Sequence, residues 1–281
     1  MTVYAKQMRL YRARRGIMGV IIAAASLCLS LSGCDGGEDM AFSRGYEAYQ
    51  QGDFAEALSV WKPLSDAGDA RAQYNLGVLY SEGRGVARDV PMAKQLWRKA
   101  ADQGHMRARH NLALALIAGE DGVQDYAAAI AELKITAAAG FANSQYSLGK
   151  ILIEGLGGEK DVAAGTAYVT KAAEQGFAKA QYSLGKAYRD GAGVEASDEQ
   201  AAIWFNKAAQ RGHVRAQRHI AFRLAQGKGV ERDDAAALKW ALIAANQGNA
   251  DAGQLVEQLT RRLTGEQVAK AESEAAAFRP E

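Results

Sequence analysis

Four histidines, a recurrent column of acidic side chains and a set of glycine-rich loops are the groups in this chain that could support a catalytic or metal centre. A helical zinc motif needs two histidines four residues apart. His105 and His110 stand five apart, and His213 and His219 lie in a distant stretch. Asp89, Asp125, Asp161, Ser197 and Asp233 recur in one register. Each stands directly before a helical stretch, where a side-chain oxygen caps an orphan backbone N–H, and capping accounts for them without catalysis. The loops Gly83-Arg84-Gly85-Val86, Gly191-Ala192-Gly193-Val194 and Gly227-Lys228-Gly229-Val230 follow helices and lack the Lys-Ser/Thr of a phosphate-binding loop. No Ser/His/Asp or Cys/His arrangement can be nominated. The residues therefore predict no enzyme, no metal and no cofactor.

What positions these groups is a repeat. Gly140-Phe141-Ala142, Gly176-Phe177-Ala178 and Gly212-His213-Val214 open successive 36-residue units, and further units open at Gly68 and Gly104. Such a period decides the fold before any local reading. In the first helix of each unit, Leu76, Leu112, Leu148, Leu184 and Ile220 form one column, beside a small column of Gly77, Ala113, Gly149, Gly185 and Ala221. Glycine inside a helix costs about 1 kcal/mol against alanine, so its recurrence implies close helix approach. In the second helix, Ala93, Ala129, Gly165, Ala201 and Ala237 form the small column, and Trp97, Leu133, Val169 and Phe205 the large one. The chain divides into a signal segment 1–33, a tether 34–40, a helix pair 41–67, five repeats 68–247 and capping helices 248–281, with the end fraying at Pro280.

The first segment is basic, then apolar. Lys6, Arg9, Arg12, Arg14 and Arg15 precede an apolar run from Gly16 to Ser30, too short and interrupted for a span of about 20 apolar residues. Leu31-Ser32-Gly33-Cys34 resembles the lipobox of bacterial lipoproteins. That resemblance implies cleavage before Cys34 and acylation of its thiol, and two or more acyl chains hold a protein stably on a bilayer. Asp35 after the lipidated cysteine resembles an inner-membrane retention signal of some enteric bacteria, while other bacteria read later positions. The choice of membrane stays open. Whole, the chain carries 34 basic and 32 acidic residues, net +2. Without the segment's five basic residues the balance is 29 against 32, net −3, so the basic charge of the whole chain is no evidence for nucleic-acid binding and bears mainly on solubility. Cys28 lies in the signal and Cys34 carries the lipid, which leaves the fold no disulfide.

Ala180-Gln181-Tyr182-Ser183-Leu184-Gly185-x-x-Tyr188, Gly191-x-Gly193-Val194, Ala201, Trp204 and Lys207-Ala208-Ala209 resemble the Sel-one-like repeat (SLR) family, a relative of the tetratricopeptide family. The resemblance covers the chain from about Ala41 onward. It implies an all-α fold, a right-handed α-solenoid of stacked antiparallel helix pairs, serving as a scaffold for protein assemblies. Arg109 and Ala113 replace the pattern's Gln and Gly, and the loop Gly119-Glu120-Asp121-Gly122-Val123 is respaced.

If the first helices line a concave face, three columns meet a partner: Arg71, Arg107, Asn143, Lys179 and Arg215; Tyr74, His110, Tyr146, Tyr182 and Arg218; and Val78, Leu114, Lys150, Lys186 and Phe222. The expected function is a non-enzymatic, lipid-anchored scaffold in the bacterial envelope, facing the periplasm. It would support a secretion or exopolysaccharide machine, with other envelope proteins as partners, the bilayer held through acylated Cys34 and no nucleic acid. A module binding anionic polysaccharide or other glycan on Tyr74, Tyr146 and Tyr182, and a cell-wall or lactam hydrolase, are the alternatives. Ordinary solvated helix faces, with tyrosines packed between units, would explain the same columns.

Overall fold

The computed structural model describes residues 35–281, and the signal segment and Cys34 lie outside the described residues. All described secondary structure is helical. The helices are α1 (Asp35–Gln51), α2 (Phe54–Asp66), α3 (Ala70–Glu82), α4 (Val90–Asp102), α5 (Met106–Ala118), α6 (Tyr126–Ala138), α7 (Ala142–Glu154), α8 (Val162–Glu174), α9 (Ala178–Asp190), α10 (Asp198–Gln210), α11 (Val214–Gln226), α12 (Asp234–Asn246), α13 (Ala250–Thr260) and α14 (Gly265–Ala277). From Met40 onward the chain is one compact unit in which each helix from α2 to α13 packs on its sequence neighbours and α14 folds back onto α12, an all-α solenoid. α1 begins at Asp35, so the segment expected as a tether is helical to within one residue of Cys34. No proline or β-branched residue interrupts it. Among the described residues no helix is long and apolar enough to cross a membrane.

Local chemistry sets the helix ends. Asp89, Asp125, Asp161, Ser197 and Asp233 each accept a hydrogen bond from the amide three residues on, as expected of caps. Thr264 and Gln267 form the expected capping box. First helices close on Gly83, Gly119, Gly155, Gly191 and Gly227 with φ between 56° and 70°, a left-handed turn that glycine adopts without strain.

The small columns do the close packing. A Cβ on Gly77 would stand 2.5 Å from the Trp97 indole nitrogen, and one on Gly185 would stand 2.7 Å from the Phe205 ring. Each ring lies flat on its glycine, and Trp97 Nε1 donates to Tyr74 O at 3.1 Å. Between units the second glycine of the loop makes the joint. A Cβ on Gly85 would meet the Phe54 carbonyl carbon at 2.6 Å, and one on Gly193 would meet Val162 O at 2.6 Å.

A buried amide ladder runs beside these joints. Gln73, Gln145, Gln181 and Gln217 donate to Ser65, Ala137, Ala173 and Ala209 carbonyls on the preceding helix at 3.1–3.3 Å. Gln103, Gln175 and Gln247 donate in turn to the Oε1 of Gln73, Gln145 and Gln217 at 2.7–2.9 Å. Buried polar groups need partners, and this ladder supplies them between and within units except at Gln181, whose Oε1 is left without one where Arg211 replaces the second glutamine.

The unit from α5 to α6 departs from the ladder. Arg109 stands where the others place glutamine; it donates to Ala101 O at 2.5 Å and pairs with Glu132 at 2.6 Å. Glu132, 7% exposed, also pairs with Arg98 at 2.7 Å. Its respaced loop reaches back to the preceding unit, where Asp121 meets Lys94 of α4 at 2.7 Å and Glu120 meets Arg88 in the loop before it.

Two expectations fail. The C-terminal end does not fray at Pro280: Phe278 packs edge-on to Trp240 with ring centres 5.4 Å apart, and Glu281 N donates to Gln210 O at 3.1 Å. Val78 is not on an open face. It is 7% exposed and packs with Trp97, Ala100 and Leu112 across the joint to the next unit.

Candidate functional site

The first-helix face is assembled by the caps of those helices. Asp69 accepts from the amides of Arg71 and Ala72, and Asn249 from Ala252 N. In the same register His105 Nδ1 accepts from Ala108 N at 3.1 Å, and His213 Nδ1 from Ala216 N at 3.3 Å. Phe141 and Phe177 hold the position without a side-chain hydrogen bond. The histidines are thus helix caps, a role the sequence hinted at only through their register with Asp69 and Asn249.

These cap residues cover the tyrosine column. His105 stacks on Tyr74 at 4.7 Å, His213 on Tyr182 at 4.4 Å, and Phe177 meets Tyr146 edge-on at 5.3 Å. Every ring of the column therefore bridges to the following unit. His110 belongs to the same inter-unit packing, with Nδ1 2.8 Å from Ser144 Oγ. Phe222 is partly buried against the C-terminal core. His219 stacks on Phe205 at 4.6 Å.

The cations divide into two groups. Arg71 pairs with Asp69 at 2.7 Å and lies over the Phe42 ring, Lys150 pairs with Glu154, and Arg218 pairs with Asp251 at 2.6 Å. Arg107, Lys186 and Arg215 are exposed and Lys179 is half-buried, and among the described residues no carboxylate pairs with any of the four. Burial holds the Lys179 ammonium below its ordinary range. Burial also lowers His213 to about 4, with Arg215 and Lys179 adding to the effect through their charge.

Among the described residues no group of three or more His, Cys, Asp or Glu could hold a metal ion. A cavity of about 560 Å³ at the start of α12 is lined by Leu224, Val230, Asp233 and Asp234. Asp233 caps its helix and Asp234 pairs with Arg232 at 2.8 Å, which leaves Glu231 as the one lining carboxylate without a partner among the described residues.

Comparison with known proteins matches this architecture. The Sel1 repeat model fits residues 70–105, 142–177, 178–213 and 214–249, just over half of the chain. The stretch left out between them contains Arg109, Glu132 and the respaced loop. Among curated proteins none matches closely enough to count as a relative. Of solved structures, a protective antigen present in uropathogenic Escherichia coli strains and displaying an SLR fold is 29% identical with a TM-score of 0.76. The alignment covers 86% of this chain and 53% of the antigen, so the chain spans about half the antigen's length. A Sel1 repeat protein from Oxalobacter formigenes is 26% identical with a TM-score of 0.70, over 84% of this chain and 96% of that one. Sel1 repeat proteins generally mediate contacts between proteins and are typically non-catalytic. On these residues, this fold and these matches, the chain belongs to the Sel1 repeat family.

Proposed function

We propose that this protein is a lipid-anchored scaffold of the bacterial envelope that docks another envelope protein along its first-helix face. The observation that carries the reading is the row of cations Arg107, Lys179, Lys186 and Arg215, none of which pairs with a carboxylate among the described residues. The anchor rests on the sequence from the basic head to Cys34. Support of a secretion or exopolysaccharide machine is the assembly role that fits such a tethered face.

Reversing all four charges to glutamate should abolish partner capture in envelope crosslinking while leaving the helical circular dichroism unchanged. Undiminished capture by the folded variant would remove this face from the function. The glycan alternative has lost ground, since His105 and His213 cover a face of Tyr74 and Tyr182, where a sugar would have stacked.

A further inference from the structure

His213 has a second functional edge. Its Nδ1 accepts from the Ala216 amide, which fixes the neutral tautomer with the proton on Nε2. Among the described residues no hydrogen bond uses that Nε2–H. The ring is clamped flat on Tyr182, 4.4 Å between centres and 20° between planes, so the donor is held in place.

The charges around this ring are cations. Lys179 near the start of α9 and Arg215 near the start of α11 both act on it, and neither pairs with a carboxylate among the described residues. Lys179 is half-buried and pays for desolvation without a counter-ion. An anion seated among the three groups would satisfy the lysine and use the free N–H, and hydrogen bonds to ionised partners are the strong ones.

Resting on the reading of this face as the docking surface, we propose that Lys179, Arg215 and the Nε2–H of His213 form an anion subsite. It takes the carboxylate of an Asp or Glu side chain in an extended segment of the partner protein. Three units earlier His105 likewise caps through Nδ1, stacks on Tyr74 and lies in the field of Arg107, but there Asp69 already supplies the anion, pairing with Arg71 at 2.7 Å and acting on the ring. Between the two, Phe141 and Phe177 occupy the cap register. The face therefore suits a segment with an acidic residue at the His213 subsite and apolar ones along the interval that precedes it. A charged polysaccharide would present anions along its whole length and has no counterpart for that apolar interval.

The test uses the full chain and a fluorescein-labelled hexaglutamate peptide, with binding read by anisotropy at pH 7.5. Hexaglutamine and polygalacturonate serve as the comparison probes. Hexaglutamate should bind and the other two should not. Lys179→Gln with Arg215→Gln should weaken binding about tenfold or more, in line with the loss of charge-assisted hydrogen bonds. His213→Asn keeps a capping oxygen, as Asn249 does in its own unit, removes the Nε2–H, and should weaken binding severalfold. Lys228→Gln, on a loop beside Asp198, should change nothing. The proposal is overturned if hexaglutamate binds no better than hexaglutamine, if polygalacturonate binds as well, or if the folded variants bind like the wild type. Loss of this subsite with intact crosslinking to the first-helix face would leave the docking reading standing.

Discussion

Glu132→Leu alone will destabilise the protein by about 3–5 kcal/mol, because it strands the Arg109 guanidinium in the interior without its counter-charge. The Arg109 side chain is 15% exposed and its Nε already lacks a partner. Arg98, with 47% of its side chain exposed, can turn to water and adds little. Leucine is a fair replacement because Leu96 fills the equivalent place one unit earlier. Adding Arg109→Gln should return most of the lost stability, since glutamine at this register reaches the preceding carbonyl in four other units. Urea unfolding of the two single variants and the double variant measures the coupling. If Glu132→Leu costs under about 1 kcal/mol, the pair is not the lock described here.

Acid will loosen the fold well above the carboxylate range. Burial holds His110, His213 and His219 at about 4 against an ordinary 6.5, with Arg215 and Lys179 adding for His213, and Arg218, Arg189, Arg223 and Lys186 for His219. At pH 7 these imidazoles are neutral in both folded and unfolded chains, so their contribution is fully present. As pH falls from 6.5 to 4 the unfolded chain takes up protons that the native state refuses, and stability drops through that window. For His110 and His213 the loss is roughly 2–3 kcal/mol each. Below about 4 the native histidines protonate too and this loss levels off. Asp190 and Asp234 are held below their ordinary 3.8 by Arg189 and Arg232, so their contribution is lost only at lower pH. The urea midpoint should fall steadily between pH 6.5 and 4.5, and His213→Asn should flatten part of the slope. A flat profile over this range would mean the rings are more accessible than the packing indicates.

Most of the fold was legible because the 36-residue period repeats each structural decision. Columns such as Leu76–Leu112–Leu148 and caps such as Asp89–Asp125–Asp161 state the helix faces and starts several times over. The departures were harder to read. Val78 shares a column with Lys150 and Lys186, which stay at the surface, but a valine at that rim position is buried in the core cluster of Trp97 and, from the next unit, Leu112. Arg109 could be seen as an exception, yet its compensation by Glu132 lies 23 residues away and depends on packing. The histidine caps escaped notice because imidazole is an uncommon cap, and their rings then withdrew the tyrosines from the surface. Most of the expected contact face was thus packed or already paired, and its four unpaired cations were the part that remained.

A photo-crosslinking amino acid placed in turn at Arg107, Lys186 and Arg215 on the first helices, and at Ile135 and Ile203 on the second helices, tests the docking claim most directly. All five side chains are exposed, so accessibility does not bias the comparison. The account predicts that the three first-helix positions give adducts with the same envelope protein and the second-helix positions give none. Equal adducts from Ile135 and Ile203, or none from the cationic positions, would contradict it.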